Sequence, residues 1–108
     1  MSRLTGAISK QRVVFEAIAD ERENQDLQWG TQDHQDGTGE RGDQWAANNA
    51  RVLCQRAFNR KLGTWAHIFR EEVAEAMAES DPVALREELV QCAAVIVAWV
   101  EAIDRRRT

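Results

Sequence analysis

The chain contains a single proline, Pro82, in 108 residues, and this proline directly follows Ser80-Asp81. An aspartate before a proline is typical of a helix start, because the aspartate caps free backbone N–H groups and proline fits the first helical turn. Elsewhere helix-forming residues are frequent, and no stretch alternates apolar and polar residues as a half-buried strand does. We therefore predict an all-α fold whose last helix begins at Pro82.

Apolar spacing and end signals divide the chain into four helices. Gly63 is expected to stop the second helix, and Thr64 to cap the third. The predicted helices are Ser9–Gln25, Gln44–Lys61, Trp65–Glu79 and Pro82–Arg105. The residues expected to face inward are Val13, Val14, Ala17 and Ile18 in the first helix and Ala47, Leu53, Cys54, Ala57 and Phe58 in the second.

Residues 27–43 are predicted to form a loop, because glycine and aspartate are frequent there. Loops beyond about 12–15 residues are uncommon in compact domains and often functional. The segment is therefore either a substrate-binding loop or a disordered surface loop.

Size and composition limit the possible class of protein. A length of 108 residues suits one domain, residues 1–108, and the net charge of -4 argues against a surface that wraps nucleic acid. Cys54 and Cys92 form no CxxC pair, so we expect buried free thiols in a reducing cytosol. The start of the chain lacks a long apolar stretch, and the nine-residue apolar run Cys92–Val100 is too short to span a bilayer. We expect a soluble cytoplasmic protein that does not bind membranes.

Four acidic or amide side chains lie on the apolar faces of the last two helices. At about 100° per residue, Glu72 and Glu75 border the apolar stripe of the third helix, and Glu88 and Gln91 that of the fourth. A short turn joins these helices, so they should pack as an antiparallel hairpin and bring the four side chains together. Converging carboxylates repel one another unless a cation lies between them, and oxygen ligands suit Mg²⁺ or Mn²⁺. The alternative is that these glutamates lie on exposed helix edges, paired with Arg70 and Arg86.

The motif Glu71-Glu72-Val73-Ala74-Glu75 is followed by Glu87-Glu88-Leu89-Val90-Gln91, with twelve residues between Glu75 and Glu88. Together they resemble the EExxE…ExxD signature of the MazG-like all-α nucleotide pyrophosphohydrolases. The resemblance covers the third and fourth helices. It implies a four-helix MazG-like bundle and Mg²⁺-dependent hydrolysis of (d)NTP to (d)NMP and pyrophosphate. It also implies Glu72, Glu75 and Glu88 as metal ligands, with Glu75 our candidate for orienting the attacking water.

Gln91 stands where the family usually has the aspartate of ExxD. Its carbonyl can coordinate a hard cation, but it has no charge and cannot act as a base. Glu79, Glu71 or Asp36 can compensate for the missing charge. Two other functions stay open: a non-catalytic relative that binds nucleotide or metal, and a structural helical interaction module.

Several other residues are candidates for substrate binding. Trp29 can stack on a nucleobase or anchor the loop to the core, while Gln32 and His34 can contact base edges or phosphate. Arg60 and Lys61 can contact the triphosphate or simply complement the end of the second helix. The run Cys92–Val100 is apolar almost all round its helix, which favours a homodimer or homotetramer with the fourth helix at the interface.

Overall fold

A computed structural model describes the backbone of residues 2–107 and the side chains of residues 10–107. Over the described residues the protein is all-helical, as predicted, with α1 at Ser2–Trp29, α2 at Asp43–Asn59, α3 at Trp65–Met77 and α4 at Pro82–Arg107. None of these helices is long and apolar enough to cross a membrane.

Helix α1 is longer than predicted at both ends, and it includes Trp29, which was placed in the loop. The segment 20–28 is polar, but six of its nine residues are glutamate, glutamine, arginine or leucine, which are good helix formers. Arg22 also pairs with Asp26 one turn later at 2.8 Å, a spacing that supports a helix. The helix ends only at Gly30, which adopts a left-handed backbone (φ 69°) and donates its N–H to Asp26 O at 2.8 Å.

The end of α2 depends on Lys61, which corrects the prediction that Gly63 stops the helix. Lys61 has φ 61° and donates its N–H to Phe58 O, while Leu62 donates to Ala57 O. These two bonds are those of a Schellman motif, which usually has glycine at the left-handed position. Gly63 instead makes room for Phe58. A Cβ at position 63 would lie 2.4 Å from the ring of Phe58, so the missing side chain lets that ring pack against the turn.

The starts of α3 and α4 are capped as predicted. The Thr64 side chain accepts from His67 N–H, and His67 Nδ1 accepts from Thr64 N–H at 3.2 Å, which is a reciprocal capping box. Asp81 Oδ2 accepts from Ala84 N–H at 3.0 Å in front of Pro82. Local side-chain caps thus fix where α3 and α4 begin.

The described chain divides into two compact units. Residues 36–96 form the hairpin unit, which contains α2, α3 and the first part of α4, and α1 with the last part of α4 forms the terminal unit. The core of the hairpin unit joins Ala76 of α3 to Leu85 and Cys92 of α4, with Val73 packed against it. Contacts that pair residues near the end of α3 with residues near the start of α4 are those of an antiparallel hairpin.

Several residues expected to face inward are exposed instead. In α1, Val14 is buried, whereas Val13, Ala17 and Ile18 are exposed. In α2, Ala47 and Cys54 are buried, whereas Leu53 and Phe58 are exposed. The buried positions of α2 are small side chains, because α2 packs closely on α3 and leaves its larger apolar groups at the edges.

The last part of the loop is attached to the end of α3. Thr38 Oγ1 donates to Glu79 O at 2.6 Å, and Gly39 donates its N–H to Met77 O at 2.8 Å. Gly39 has φ 71°, and a Cβ on it would lie 2.7 Å from Cβ of Ser80. These contacts satisfy carbonyl groups that the end of a helix leaves free. This part of the predicted loop is therefore an ordered strap across the turn between α3 and α4.

Candidate metal centre

Three carboxylates from two helices of the hairpin unit come together. Glu72 and Glu75 of α3 and Glu88 of α4 each place one oxygen within 4.8 Å of the others. The i, i+3 spacing puts the first two on one face of α3. The antiparallel hairpin then brings Glu88 opposite them. The convergence predicted for these three residues is confirmed.

The environment of this carboxylate cluster, Glu72, Glu75 and Glu88, is partly dry. Glu72 Oε2 and Glu88 Oε2 are shielded from solvent, and no hydrogen-bond partner for either lies among the described residues. Such atoms are rare in folded proteins, because a buried acceptor without a donor costs free energy. The exposed-edge alternative, with arginine partners, therefore does not describe these two oxygens.

The protonation of the cluster reflects the same environment. Burial, and then the charges of Glu75, Glu88 and Glu71, raise the pKa of Glu72 above its ordinary value. Burial, and then the charges of Glu75, Glu79 and Glu87, raise the pKa of Glu88. After burial, the charge of Glu75 is thus the main reason why Glu72 and Glu88 are harder to ionise. A cation among them would reverse this effect.

The donor set fits a hard divalent cation. Octahedral Mg²⁺ binds oxygen at about 2.0–2.1 Å, so its ligands lie at most about 4.2 Å apart. The carboxylate oxygens lie within 4.8 Å of one another, so only small side-chain adjustments are needed. Three carboxylates without cysteine or histidine favour Mg²⁺ or Mn²⁺ over zinc.

The cluster opens into a polar cleft of about 260 Å³. The wall formed by α2 contributes Gln44, Ala47 and Arg51, and the opposite wall contributes Glu79 beside Glu75 and Glu88. Pockets that enclose whole drug-sized ligands have volumes of about 300–1,000 Å³. The cleft therefore has room for an ion with part of a phosphate chain, and the rest of a nucleotide would lie outside it.

Sequence reasoning missed Arg51, which forms an ion pair with one carboxylate of this cluster. Its Nη2 lies 3.5 Å from Glu75 Oε1, and its Nη1 lies 3.5 Å from Asn48 Oδ1. Residues 44, 47 and 51 have the i, i+3, i+7 spacing of one helix face. With the small buried Ala47 between two polar groups, that spacing was the signal available in the sequence.

Two other residues near the motif differ in their surroundings. Gln91 is exposed on α4, whereas Glu79 is half-buried and lines the cleft.

Glu71 faces α2, where it accepts a hydrogen bond from the thiol of Cys54. Burial, followed by this bond and the charge of Glu71, raises the pKa of Cys54 to about 11, so the thiol stays protonated at neutral pH.

The residues predicted to bind substrate lie elsewhere along the chain. Trp29, at the end of α1, and the loop residues Gln32 and His34 belong to the terminal unit; all three are exposed, and His34 Nε2 lies 3.0 Å from Gln32 Oε1. Arg60 and Lys61 are exposed at the end of α2. Arg60 lies nine positions after Arg51, which corresponds to about 13.5 Å along a helix axis. Binding of substrate by these residues stays a prediction.

No protein-family model, no curated protein and no solved structure matches this chain.

Proposed function

We propose that the protein is a Mg²⁺-dependent nucleoside triphosphate pyrophosphohydrolase of MazG-like type. The supporting observation is the convergence of Glu72, Glu75 and Glu88, two of which hold a shielded oxygen with no donor among the described residues. The EExxE motif and the ExxQ motif supply these carboxylates in the order and spacing of the family signature. The reaction cleaves a (d)NTP to (d)NMP and pyrophosphate.

The residues of the site have distinct roles in this proposal. Glu72, Glu75 and Glu88 would hold Mg²⁺, with Mn²⁺ as a substitute. A bound dication neutralises phosphate charge and promotes ionisation of a nearby water. Glu75 lines the open cleft, where its second oxygen can accept a proton of the attacking water and orient it. Glu79, on the same wall, would supply the negative charge that Gln91 lacks.

The proposal includes a four-helix bundle that is completed by self-association. Val83 and Val90, seven residues apart on α4, are 70% and 55% exposed. Because seven residues are close to two helical turns, these side chains share one face. Exposed apolar side chains on one helix face favour contact with another molecule, and a second copy of the chain is the proposed partner.

Release of pyrophosphate from a panel of dNTPs, with and without Mg²⁺, tests the activity. We expect release by the wild type with Mg²⁺ and none by Glu72→Gln or Glu88→Gln. Glu87→Gln is the matched control, because Glu87 is the exposed neighbour of Glu88 and loses the same charge. Equal activity of the Glu88→Gln and Glu87→Gln proteins would refute the proposed site.

Gln91 supports a second candidate, a non-catalytic protein that binds nucleotide and metal. A missing fourth carboxylate weakens metal binding and removes a base, while the three remaining ligands still bind. This candidate predicts thermal stabilisation by a dNTP with Mg²⁺ and no turnover, because a ligand of the native state raises stability. A structural helical module, the third possibility, would show neither response.

A further inference from the structure

Arg51 is placed where it can exchange one anionic partner for another. The residue lies in the wall of the cleft opposite Glu79, and its guanidinium pairs with Glu75. Glu75 is also one of the three carboxylates that converge. A single carboxylate thus belongs both to the candidate cation site and to the ion pair with Arg51.

The ion pair is weak enough to break. Its N–O distance of 3.5 Å is long for a charge-assisted hydrogen bond, and the side chains of Arg51 and Glu75 are 44% and 24% exposed. Long, partly exposed ion pairs of this kind contribute little to stability. The second contact of the guanidinium, to Asn48, is equally long at 3.5 Å. The guanidinium can therefore move without breaking a strong bond.

The charges around the cleft favour the exchange of Glu75 for a phosphate as the partner of Arg51. Glu72, Glu75, Glu79 and Glu88 together have more negative charge than one dication can offset, so a triphosphate would still be repelled. A guanidinium presents parallel N–H donors that match two phosphate oxygens, and Arg–phosphate pairs are among the stronger charge-assisted hydrogen bonds. Arg51 is the arginine in the wall of this cleft.

We propose that Arg51 is a substrate-binding residue that leaves Glu75 when the carboxylates bind their cation, and then binds a phosphate oxygen of the polyphosphate chain. This inference rests on the proposed function, because it requires a cation at the carboxylate cluster. It adds a residue and a ligand class: Arg51 recognises the polyphosphate itself, independently of base and sugar. The ion pair with Glu75 is then the resting state of the site.

Two binding measurements test the exchange without turnover. Mn²⁺ binding is followed by electron paramagnetic resonance, and binding of inorganic tripolyphosphate at saturating Mg²⁺ by calorimetry. In Arg51→Ala, the cation loses a competitor for Glu75, so we expect Mn²⁺ to bind about two- to fivefold more tightly. Tripolyphosphate loses its partner and should bind roughly ten- to hundredfold more weakly. Opposite changes in the two affinities are the signature of the exchange.

Two further variants serve as controls. Arg56→Ala removes the same charge from an exposed position five residues along α2, and both affinities should stay close to those of the wild type. Arg51→Lys keeps the charge without the planar fork, and should recover part of the tripolyphosphate affinity.

The outcomes separate this inference from the proposed function. A wild type that binds no Mn²⁺ overturns the metal site and the exchange together. A wild type that binds Mn²⁺, with an Arg51→Ala variant that binds tripolyphosphate as tightly, overturns only the role of Arg51. Equal losses of tripolyphosphate affinity in Arg51→Ala and Arg56→Ala would show that Arg51 contributes only its positive charge. That result would also overturn its role as a phosphate-binding residue.

Discussion

Glu72 and Glu88 present the same physical problem on two neighbouring helices. Each has an oxygen shielded from water without a donor among the described residues, and each has a raised pKa. A carboxylate in this position lowers the stability of the cation-free protein, since its charged form has lost hydration. The arrangement is understandable if the residues are held ready for a cation.

Replacing either carboxylate by its amide should therefore separate stability from activity. We expect Glu72→Gln and Glu88→Gln to abolish pyrophosphate release and to leave the melting temperature of the metal-free protein unchanged or higher. The amide has nearly the same shape and no charge to desolvate. Thermal denaturation in EDTA measures the effect, and a large fall in melting temperature in both variants would point to structural salt bridges instead.

The raised pKa values predict how stability depends on pH. A group whose pKa is higher in the folded than in the unfolded state binds protons more tightly when folded. Its stabilising contribution is complete below the unfolded pKa and is lost as the pH rises through the folded pKa. The metal-free protein should thus gain stability from Glu72 and Glu88 as the pH falls from neutral toward the ordinary glutamate value of 4.5.

Thermal denaturation with EDTA at about pH 5 and about pH 7.5 measures this dependence. The double variant Glu72→Gln/Glu88→Gln is the control, and its pH dependence should be flatter than that of the wild type. Added Mg²⁺ should stabilise the wild type more at the higher pH, where the ligands are ionised. A wild type and a double variant with the same pH dependence would contradict the assignment of the raised pKa values to this pair.

Glu79 and Gln91 are the alternatives for the fourth position of the site, and their surroundings differ. Glu79 lines the cleft, whereas Gln91 is exposed. We expect Glu79→Gln to weaken Mn²⁺ binding about three- to tenfold through the loss of a nearby charge, and Gln91→Ala to change it less. If the Gln91→Ala protein shows the larger loss in a Mn²⁺ titration, the amide carbonyl is a ligand and the family pattern applies directly.

At the scale of the elements, the ends of the helices place the site. The turn between α3 and α4 is capped by Asp81, and the strap residue Thr38 binds the carbonyl of Glu79. Short capped connections leave little freedom in the register of the hairpin, so Glu88 lies opposite Glu72 and Glu75. The end of α2 is strained, because Lys61 adopts a left-handed backbone, a conformation that favours glycine.

This strain makes Lys61→Gly a stabilising substitution. A residue with a side chain in this conformation costs about 1 kcal/mol relative to glycine, so we expect a gain of roughly 0.5–1 kcal/mol in the free energy of unfolding. Denaturant titration measures it, and Lys61→Ala, which removes the same charge but keeps the strain, should show no such gain. Comparing dNTP hydrolysis by the two variants with that of the wild type also tests the predicted role of Lys61 in substrate binding.

At the scale of the whole molecule, few large side chains are buried. Among the residues with described side chains, the buried apolar ones are Val14, Ala47, Cys54, Ala76, Leu85, Cys92 and Val97. Larger apolar groups are exposed in both units, including Leu27 on α1 and Trp45 on α2. Small domains with thin cores commonly gain stability from oligomerisation, and this is the physical reason to expect a second copy.

If the chain self-associates as proposed, Val90→Glu should convert the oligomer to a smaller species. A charge placed at Val90, on the helix face shared with Val83, would have to be desolvated at the contact, whereas a monomer would tolerate it on its surface. Size-exclusion chromatography with light scattering measures the mass, and circular dichroism confirms that the helices are kept. Val90→Ile, which preserves the apolar surface, should retain the mass of the wild type, and a wild type that is already monomeric would exclude this contact.

Much of the architecture could be predicted from local sequence signals. Thr64, Asp81 and Pro82 act on the backbone within a few residues, so they indicated the starts of α3 and α4 correctly. The same local reasoning missed the full length of α1, because polar helix formers have no apolar periodicity. It also assigned the end of α2 to Gly63, because a left-handed lysine leaves no signal in the sequence.

The sequence likewise predicted one part of the candidate site and missed another. The i, i+3 spacing of Glu72 and Glu75, and the short turn before Glu88, were sufficient to predict that these carboxylates meet, since both are consequences of helix geometry. The spacing does not show which carboxylate oxygens are shielded from water, that Arg51 pairs with Glu75, or whether Glu79 or Gln91 completes the site. These features depend on how the helices pack against one another. Tertiary structure alone placed Arg51 at the cleft, and it distinguished Glu79 from the other candidates Glu71 and Asp36. The sequence specifies the face of each helix but not the partner that the face meets.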